Sequence, residues 1–435
     1  MSQKRQRPWG NPDFRHRTQM PAPAIEQIEQ ELLYLLTPAT FKPLGDSKGK
    51  GLRNRLQTLP VMMAIVVSLV YRQIPSLSEV TRVLEKEGLL WVESLKVSKQ
   101  ALSKRLATLP AYLFAELFEQ VIQQLSRRKP LSLPSGWQPV YEKFTALWIA
   151  DGSTLEALRK KLKVLQEESS PLGGKMMMIV EAFTHSPVRC WYTEESAAND
   201  KIWSDNLLAA LPVGGLLIFD LGFFSFVLFD AFSEEKKFWV TRLRQKTAYK
   251  VTRTLAQGNL YKDELIELGQ YRSNPCKHPV RLVSVLWGKT WYYYLTNVLD
   301  PQLLSAQQVC ELYRRRWRVE DAFLLTKRLL GLSYLWVGGQ NGVQIQIFAT
   351  WIFYAVLNNL CAEVASVLNQ PLERISVEMV FRGLYHFSRA LLRGESEDVV
   401  AFLAENYKLL GLVKAVRKRH RDSAALSQEI WVSCG

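Results

Sequence analysis

Acid is scarce in this sequence: 41 Asp and Glu stand against 56 Lys and Arg, a net charge of +15 with a pI near 9.5. That shortage favours a polyanionic partner, with nucleic acid the first choice and an anionic membrane surface the second. Cysteine is also sparse. The five present (Cys190, Cys276, Cys310, Cys361, Cys434) are odd in number and never paired at metal-like spacing, which excludes a disulfide framework and a zinc site. Cys276 and His278 in PCKHP come nearest to a ligand pair and read as a loop. Strongly apolar, uninterrupted runs are short too. LPVMMAIVVSLVY, residues 59–71, contains a proline and falls short of the roughly 20 residues that a membrane span needs, so a core helix is expected. No amphipathic membrane anchor is evident, and no membrane partner is expected. MSQKRQRPWGNPDFRHR at the start is polar and basic rather than a signal sequence, so a cytoplasmic location is expected.

What is present is long enough for two or three domains. Residues 1–130 hold 20 Lys and Arg and 11 Asp and Glu. Residues 1–20 and 44–55 are basic and rich in turn formers, which suggests mobile arms. Helical patterning then runs to about residue 128. Within it, SLSEVTRVLEKEGLLWVESLKVSKQALSKRLATLP reads as a helix, a break near Gly88 and a second helix from about Ser98. Ala101, Leu102, Leu106 and Leu109 of that second helix can pack while Lys99, Gln100, Ser103, Lys104 and Arg105 stay exposed. The pair is either a helix-turn-helix whose second helix reads a DNA groove or an ordinary helical pair with a solvated basic face.

Three prolines and a glycine in RRKPLSLPSGWQP, residues 127–139, mark a boundary. Beyond it the period changes. Strands are expected at 145–154, 173–183 and 188–195, a helix at 202–212, a strand at 215–224, a helix at 225–235 and a strand at 237–244, which together make a mixed α/β sheet. Residues 245–300 read as a mostly β insertion. In 236–253, seven basic residues occur without an acid; with Phe238 and Val240 buried, Arg242 and Arg244 are expected to share the opposite phase, meeting DNA or protecting an edge strand with charge. A helix should begin at Ser305 and Gln308, which have capping-box spacing, and end at Gly331. ATWIFYAVLNNLCAEVASVL, residues 349–368, is apolar nearly all round, as in a central packing helix or a dimer interface. KAVRKRHRD, residues 414–422, reads as a solubilising tail by default and otherwise as a phosphate-tracking segment.

The helix containing YRRRWRVEDAFLLTK, residues 313–327, places four arginines beside two acids. At about 100° per residue, Tyr313, Arg316, Glu320 and Lys327 fall at roughly 0°, 300°, 340° and 320°. They share one narrow face. Leu312, Val319, Phe323 and Leu330 form an adjoining apolar stripe, and Asp321 lies about 100° from Glu320, so helical phase selects Glu320 as the inward acid. Asp151 and Asp220 each follow a hydrophobic run at a strand end, where open α/β sheets place ligand-binding groups. Three carboxylates from two strands and one helix would suit Mg²⁺ or Mn²⁺, and a pair of such ions supports in-line displacement at phosphorus.

The spacing of Tyr313, Arg316, Glu320 and Lys327 resembles the signature of DDE transposases of bacterial insertion sequences, in the insertion sequence 4 group. DGST at 151–154 and DLGFF at 220–224 resemble that family's first and second aspartate motifs, and a β-rich insertion before the glutamate helix matches its order. The resemblance covers about residues 145–330. It implies an RNase H-like core, two divalent metals held by Asp151, Asp220 and Glu320, cleavage at the ends of a mobile element and joining of the freed 3′-hydroxyl to target DNA without a covalent protein intermediate. Tyr313, Arg316 and Lys327 would then contact the strand ends. Members of this group can form a hairpin DNA end with a flipped base against an aromatic of the insertion, for which Trp287 and Trp291 are candidates here, although each reads first as a sheet core residue.

The expected layout is a helical N-terminal DNA-binding region (1–135), a catalytic core in two parts (140–246 and 301–365), the β-rich insertion (247–300) and a helical C-terminal region (366–435). The partner would be double-stranded DNA, at element ends and target, engaged by a homodimer in the synaptic complex. Two alternatives are a structure-selective nuclease on the same core and a transposase-derived DNA-binding protein without catalysis. The intact acid trio speaks against the latter.

Overall fold

The computed structural model describes residues 24–36, 58–126, 133, 136–155, 174–332, 335–336 and 339–415. The basic arms at 1–20 and 44–55, most of the 127–139 boundary and the C-terminal basic run from residue 416 lie outside them.

Among the described residues nine strands, numbered β1 to β9 along the chain, form one sheet in the order β3-β2-β1-β4-β5-β9-β8-β7-β6. The first five are β1 (Leu147–Thr154), β2 (Lys175–Glu181), β3 (Pro187–Thr193), β4 (Leu216–Ile218) and β5 (Phe238–Arg242). β1, β4 and β5 run parallel, whereas β2 and β3 are antiparallel to their neighbours. Helices α6 (Ser204–Ala210) and α7 (Phe226–Glu234) make the crossovers that parallel neighbours require. The segment expected to be mostly β holds four strands, β6 (Tyr249–Gln257), β7 (Tyr261–Leu268), β8 (Val280–Trp287) and β9 (Thr290–Thr296), all antiparallel. They extend the same sheet, because β9 pairs with β5. A buried ion pair ties this extension down. Arg281 binds Asp263 through two 2.7 Å contacts and donates to the carbonyls of Val298 and Leu304, on the approach to the next helix.

Strand alternation divides the core into two clusters. Leu147 and Ile149 of β1, Leu216 and Ile218 of β4 and Val240 of β5 belong to the larger one, which takes in the N- and C-terminal helices. Ala150, Leu217, Phe219 and Trp239 belong to the other, with the aromatics Phe223, Phe224, Phe229 and Phe232; Phe229 stacks on Trp239 at 4.1 Å between ring centroids.

The N-terminal helices are α1 (Glu26–Leu35), α2 (Leu59–Tyr71), α3 (Leu77–Lys86), α4 (Lys99–Thr108) and α5 (Tyr112–Ser126). α2 is buried almost throughout, as its apolar sequence demanded. The helix-turn-helix expectation is not met in its short-turn form. Between α3 and α4 lies a connection from Glu87 to Ser98, holding Gly88 at φ +76° and a Leu89–Val92 bridge, whereas such motifs join their helices by about 3–4 residues. Ala101 is exposed rather than packed, while Leu102 and Leu106 are buried.

The chain's long apolar helix, α10 (Gln340–Val367), follows α8 (Ala306–Arg315) and α9 (Arg318–Arg328). It is long and apolar enough to cross a membrane, yet 89% of its most apolar window is buried inside the protein. It is the central packing helix, flanked by α11 (Val377–Leu392) and α12 (Val399–Glu405).

Candidate active site

Two aspartates are placed by the β ladder. Leu147, Trp148 and Ile149 of β1 stand opposite Leu216, Leu217 and Ile218 of β4. Asp151 and Asp220 each lie two residues further on, so they project from the same face at the same level of neighbouring strands, about 4.8 Å apart in backbone spacing. The chain stays extended through Asp220 (φ −85°, ψ −178°), whose Oδ1 accepts from the Gly222 amide at 2.8 Å and caps a 3₁₀ turn, Leu221–Phe223. Asp151 Oδ1 accepts from the Gly152 amide at 3.0 Å.

The helix expected to run unbroken from Ser305 to Gly331 is two helices. The Ser305–Gln308 capping box forms, and Gly331, at φ +95°, follows the end of α9. Between α8 and α9, however, Arg316 and Trp317 form a tight turn, with i→i+3 bonds from Arg316 to Tyr313, Val319 to Arg316 and Glu320 to Trp317. The tightening is slight, so the four signature residues still face the strands.

Arg316 is the centre of this arrangement. Its Nη1 lies 2.8 Å from Asp151 Oδ2 and its Nη2 4.0 Å from Glu320 Oε1, while its side chain is only 7% exposed. Burial pushes the Asp151 carboxyl up to about 7, outweighing Arg316 and the Gly152 amide; the negative charges of Asp220 and Glu320 push it further in the same direction. Glu320 is half-exposed, at 53%. Lys327 reaches back to β1, donating to Ser153 Oγ at 2.5 Å and Thr154 O at 2.7 Å. Tyr313 is buried against the Tyr294 ring at 5.3 Å. Thus Tyr313, Arg316 and Lys327, expected to face DNA, are turned to the protein's own strands.

The turn is gripped from behind. Arg315 and Arg318, on either side of it, both pair with Glu373 in the 3₁₀ turn Leu372–Arg374. Arg315 also lies over the Phe183 ring at 4.4 Å.

Among the described residues, no three His, Cys, Asp or Glu side chains stand close enough together to hold a metal ion. The Arg316 guanidinium stands between Asp151 and Glu320 and supplies the positive charge there. The donor chemistry itself, three carboxylates from two strands and a helix, suits a hard divalent cation. Cys276 and His278 form a loop fastening: Cys276 Sγ, the Lys277 amide and the His278 amide all converge on Asp230.

Beside the acids, a cavity of about 360 Å³ opens between the sheet extension and α8. Trp287, Tyr292, Tyr294, Arg242, Arg314 and Trp317 line it, and Arg314 lies 4.9 Å from the Trp287 ring centroid. Trp291 is not among its lining residues. The phase expected for Arg242 needs correction: it alternates with Phe238 and Val240 on their own face, because their positions have the same parity. Arg244 lies beyond the strand, over Phe224 at 5.2 Å. On α4, Lys99, Gln100 and Lys104 are exposed and Arg105 is half-buried.

The comparisons with known proteins fall on this part of the chain. Residues 148–356 match the transposase DDE domain. That stretch begins on β1 and ends within α10, so it contains both aspartates and the glutamate helix. A Sinorhizobium fredii protein named as transposase y4zB is 28% identical over 188 residues, covering 40% of this chain and 50% of that protein. The alignment therefore spans about half the length of this relative. A Geobacillus stearothermophilus protein named as a transposase for insertion sequence element IS5377 is 23% identical over 297 residues, covering 65% of this chain and 72% of its own. The solved synaptic complex of piggyBac transposase with hairpin DNA aligns over 93% of this chain and 90% of that chain at 12% identity, with a TM-score of 0.37.

One carboxylate escaped the sequence reading. Asp200, at the start of the 3₁₀ turn Asp200–Trp203, packs against the glycines that follow the two aspartates. The available signal was those glycines, Gly152 and Gly222, each one or two residues beyond an acid.

Proposed function

We propose that this chain is a transposase of an insertion sequence that cuts DNA at the element's ends and joins the freed 3′-hydroxyl to target DNA. The observation that carries this reading is the pair Asp151 and Asp220, level on adjacent strands of a DDE domain, with Arg316 and Glu320 above them. The sheet order β3-β2-β1-β4-β5, with its last three strands parallel, supports an RNase H-like core. The spacing of Tyr313, Arg316, Glu320 and Lys327 supports the insertion sequence 4 group.

Asp151, Asp220 and Glu320 would hold Mg²⁺ or Mn²⁺, two ions in this reading, and bound divalent ions would activate the attacking oxygen and stabilise the leaving one. Asp151 must shed any proton it carries near neutral pH before it can serve. Arg316, held by Asp151, is the side chain best suited to transfer to a phosphate, because a guanidinium matches phosphate and carboxylate oxygens alike. Glu320, half-exposed on its own short helix, can close on the strand acids as Arg316 leaves. The aromatic cavity with Arg242 and Arg314 at its edge has the lining that takes an unstacked base, which fits a hairpin route with Trp287 as the stacking ring. DNA held by two copies of the chain, as a synaptic homodimer, completes the proposal.

The test is incubation of the purified protein with labelled DNA carrying the gene's two flanking ends, with and without Mg²⁺ or Mn²⁺, beside Glu320→Gln. Metal-dependent nicking followed by joined products, absent in the variant, is expected. Binding without cutting in either metal would overturn the catalytic reading, and nicking that never proceeds to joining would favour a nuclease.

A further inference from the structure

Asp200 lies beneath the strand ends that carry the two aspartates. Its side chain is 20% exposed, and Oδ1 lies 2.6 Å from Lys175 Nζ, itself 14% exposed. Lys175 opens β2 opposite Thr154 of β1 and also donates to the Ala198 carbonyl at 2.9 Å. The pair is thus anchored both to the ladder and to the segment leading into the 3₁₀ turn.

The two oxygens of Asp200 reach the two acid-bearing segments separately. A Cβ placed on Gly152, next to Asp151, would sit 2.5 Å from Asp200 Oδ1 and 3.3 Å from Lys175 Cε. A Cβ on Gly222 would sit 2.9 Å from Asp200 Oδ2 and 2.8 Å from Asp220 Oδ1. Neither glycine has a positive φ, so neither is needed for its backbone freedom. What both provide is room for Asp200. Gly222 also carries the amide that Asp220 grips at 2.8 Å, so Asp200 touches the same residue that fixes the Asp220 side chain.

Asp200 acts from the far side of the sheet. Asp151 shares its face of β1 with Leu147 and Ile149 of the larger cluster and meets Arg316. Gly152 shares the other face with Ala150 of the second cluster, so the Asp200–Lys175 pair lies on the face opposite Arg316 and Glu320. Burial of an ion pair is costly unless its geometry is constrained; here the pair is wedged between two backbone segments that have no side chain in the way.

We infer that Asp200, paired with Lys175, is a positioning residue that sets the separation of Asp151 and Asp220 by bracing Gly152 and Gly222 from behind. It resembles an outer-sphere partner in effect, since a shift in either segment moves a carboxylate relative to its neighbour. This inference rests on the reading that Asp151 and Asp220 bind divalent cations.

The experiment measures Mn²⁺ binding to the full chain by electron paramagnetic resonance titration, without DNA and without turnover. It compares the wild type with Asp151→Asn, Asp200→Asn, Gly222→Ala and the double variant Asp200→Asn/Lys175→Met, each checked for cooperative thermal unfolding. Asp200→Asn is expected to weaken Mn²⁺ binding about ten-fold, the lower end of the usual effect of losing an outer-sphere partner. Gly222→Ala, which keeps every charge, should weaken it comparably. The double variant should be no weaker than the worse single one, as for two members of one brace. Wild-type binding that is lost in Asp151→Asn but unchanged in both Asp200→Asn and Gly222→Ala would overturn the inference alone. A wild type that binds no Mn²⁺ would overturn the functional reading, and the inference with it.

Discussion

The strand acids and the helix acid of this site are held by different physics. Asp151 and Asp220 inherit their places from a hydrogen-bonded ladder, with one oxygen of each side chain tied to a local amide. Glu320 sits one turn past a break in the chain, half in solvent, with an arginine 4.0 Å away as its only ion-pair partner among the described residues. The first pair is built when the sheet is built. The third acid is placed by side-chain ion pairs around a turn rather than by a ladder, and being half-exposed it has the greater room to adjust.

Substitutions that change reach without changing charge would test that contrast most severely. Asp220→Glu should abolish end cleavage, with a loss of about 10³-fold or more, because a longer arm on a fixed strand cannot retract and metal-borne stabilisation amounts to several kcal/mol. Glu320→Asp, on the adjustable arm, should cost about 10²-fold or less, the scale of a displacement near 1 Å. Single-turnover cleavage of labelled ends measures both; equal losses would erase the distinction.

Removing Arg316 should follow in size. Arg316→Ala strips a buried carboxylate of its cation, a change that costs about 3–5 kcal/mol when the charge cannot be relieved. Asp151 can be relieved by protonation, and its folded pKa is raised to about 7. A raised carboxyl pKa means that the folded state binds more protons than the unfolded chain between about pH 4 and 7, so its penalty is absent below that window and complete above it. The variant's deficit should therefore be larger at pH 8 than at pH 6 in urea unfolding, and an equal deficit at both would argue against the assignment. The same proton should compete with Mn²⁺: with the Asp151 carboxyl near 7, wild-type binding is expected to strengthen by about five-fold from pH 6 to pH 7 and by about ten-fold in all by pH 8, where it levels off. A titration series across pH 6–8 checks this. Last in size is Trp317→Leu. Arg316 lies 4.5 Å from the Trp317 ring, and loss of an exposed contact of that kind should cost about 0.5–1 kcal/mol.

Much of the strand half was legible because it is written in short-range pattern. TALWIADGST and GLLIFDLGFF each show an apolar run ending in an acid, and a period of two fixes which face that acid takes. The helix half was legible in phase only. The sequence YRRRWRVED carries no Gly or Pro at the break, and the turn at Arg316–Trp317 is stabilised by Glu373 and Phe183, far away in the chain. Asp200 was hidden for a related reason: what identifies it is the missing side chain at Gly152 and Gly222, and an absence becomes meaningful only when something is seen to occupy it. The break at Gly88 and the helix start at Ser98 were both legible; the helix-turn-helix expectation failed because the stretch between them is longer than the short turn of such a motif.

The grip of Glu373 on Arg315 and Arg318 also has a consequence in the order of synthesis. The strand acids and the glutamate helix are made first, and the residue that fastens the turn between α8 and α9 comes more than fifty positions later. Domains assemble as the chain emerges, N-terminal parts first, so a nascent chain would hold two acids in register while the third still lacked its anchor, and the acid trio would be fastened only once Glu373 had emerged.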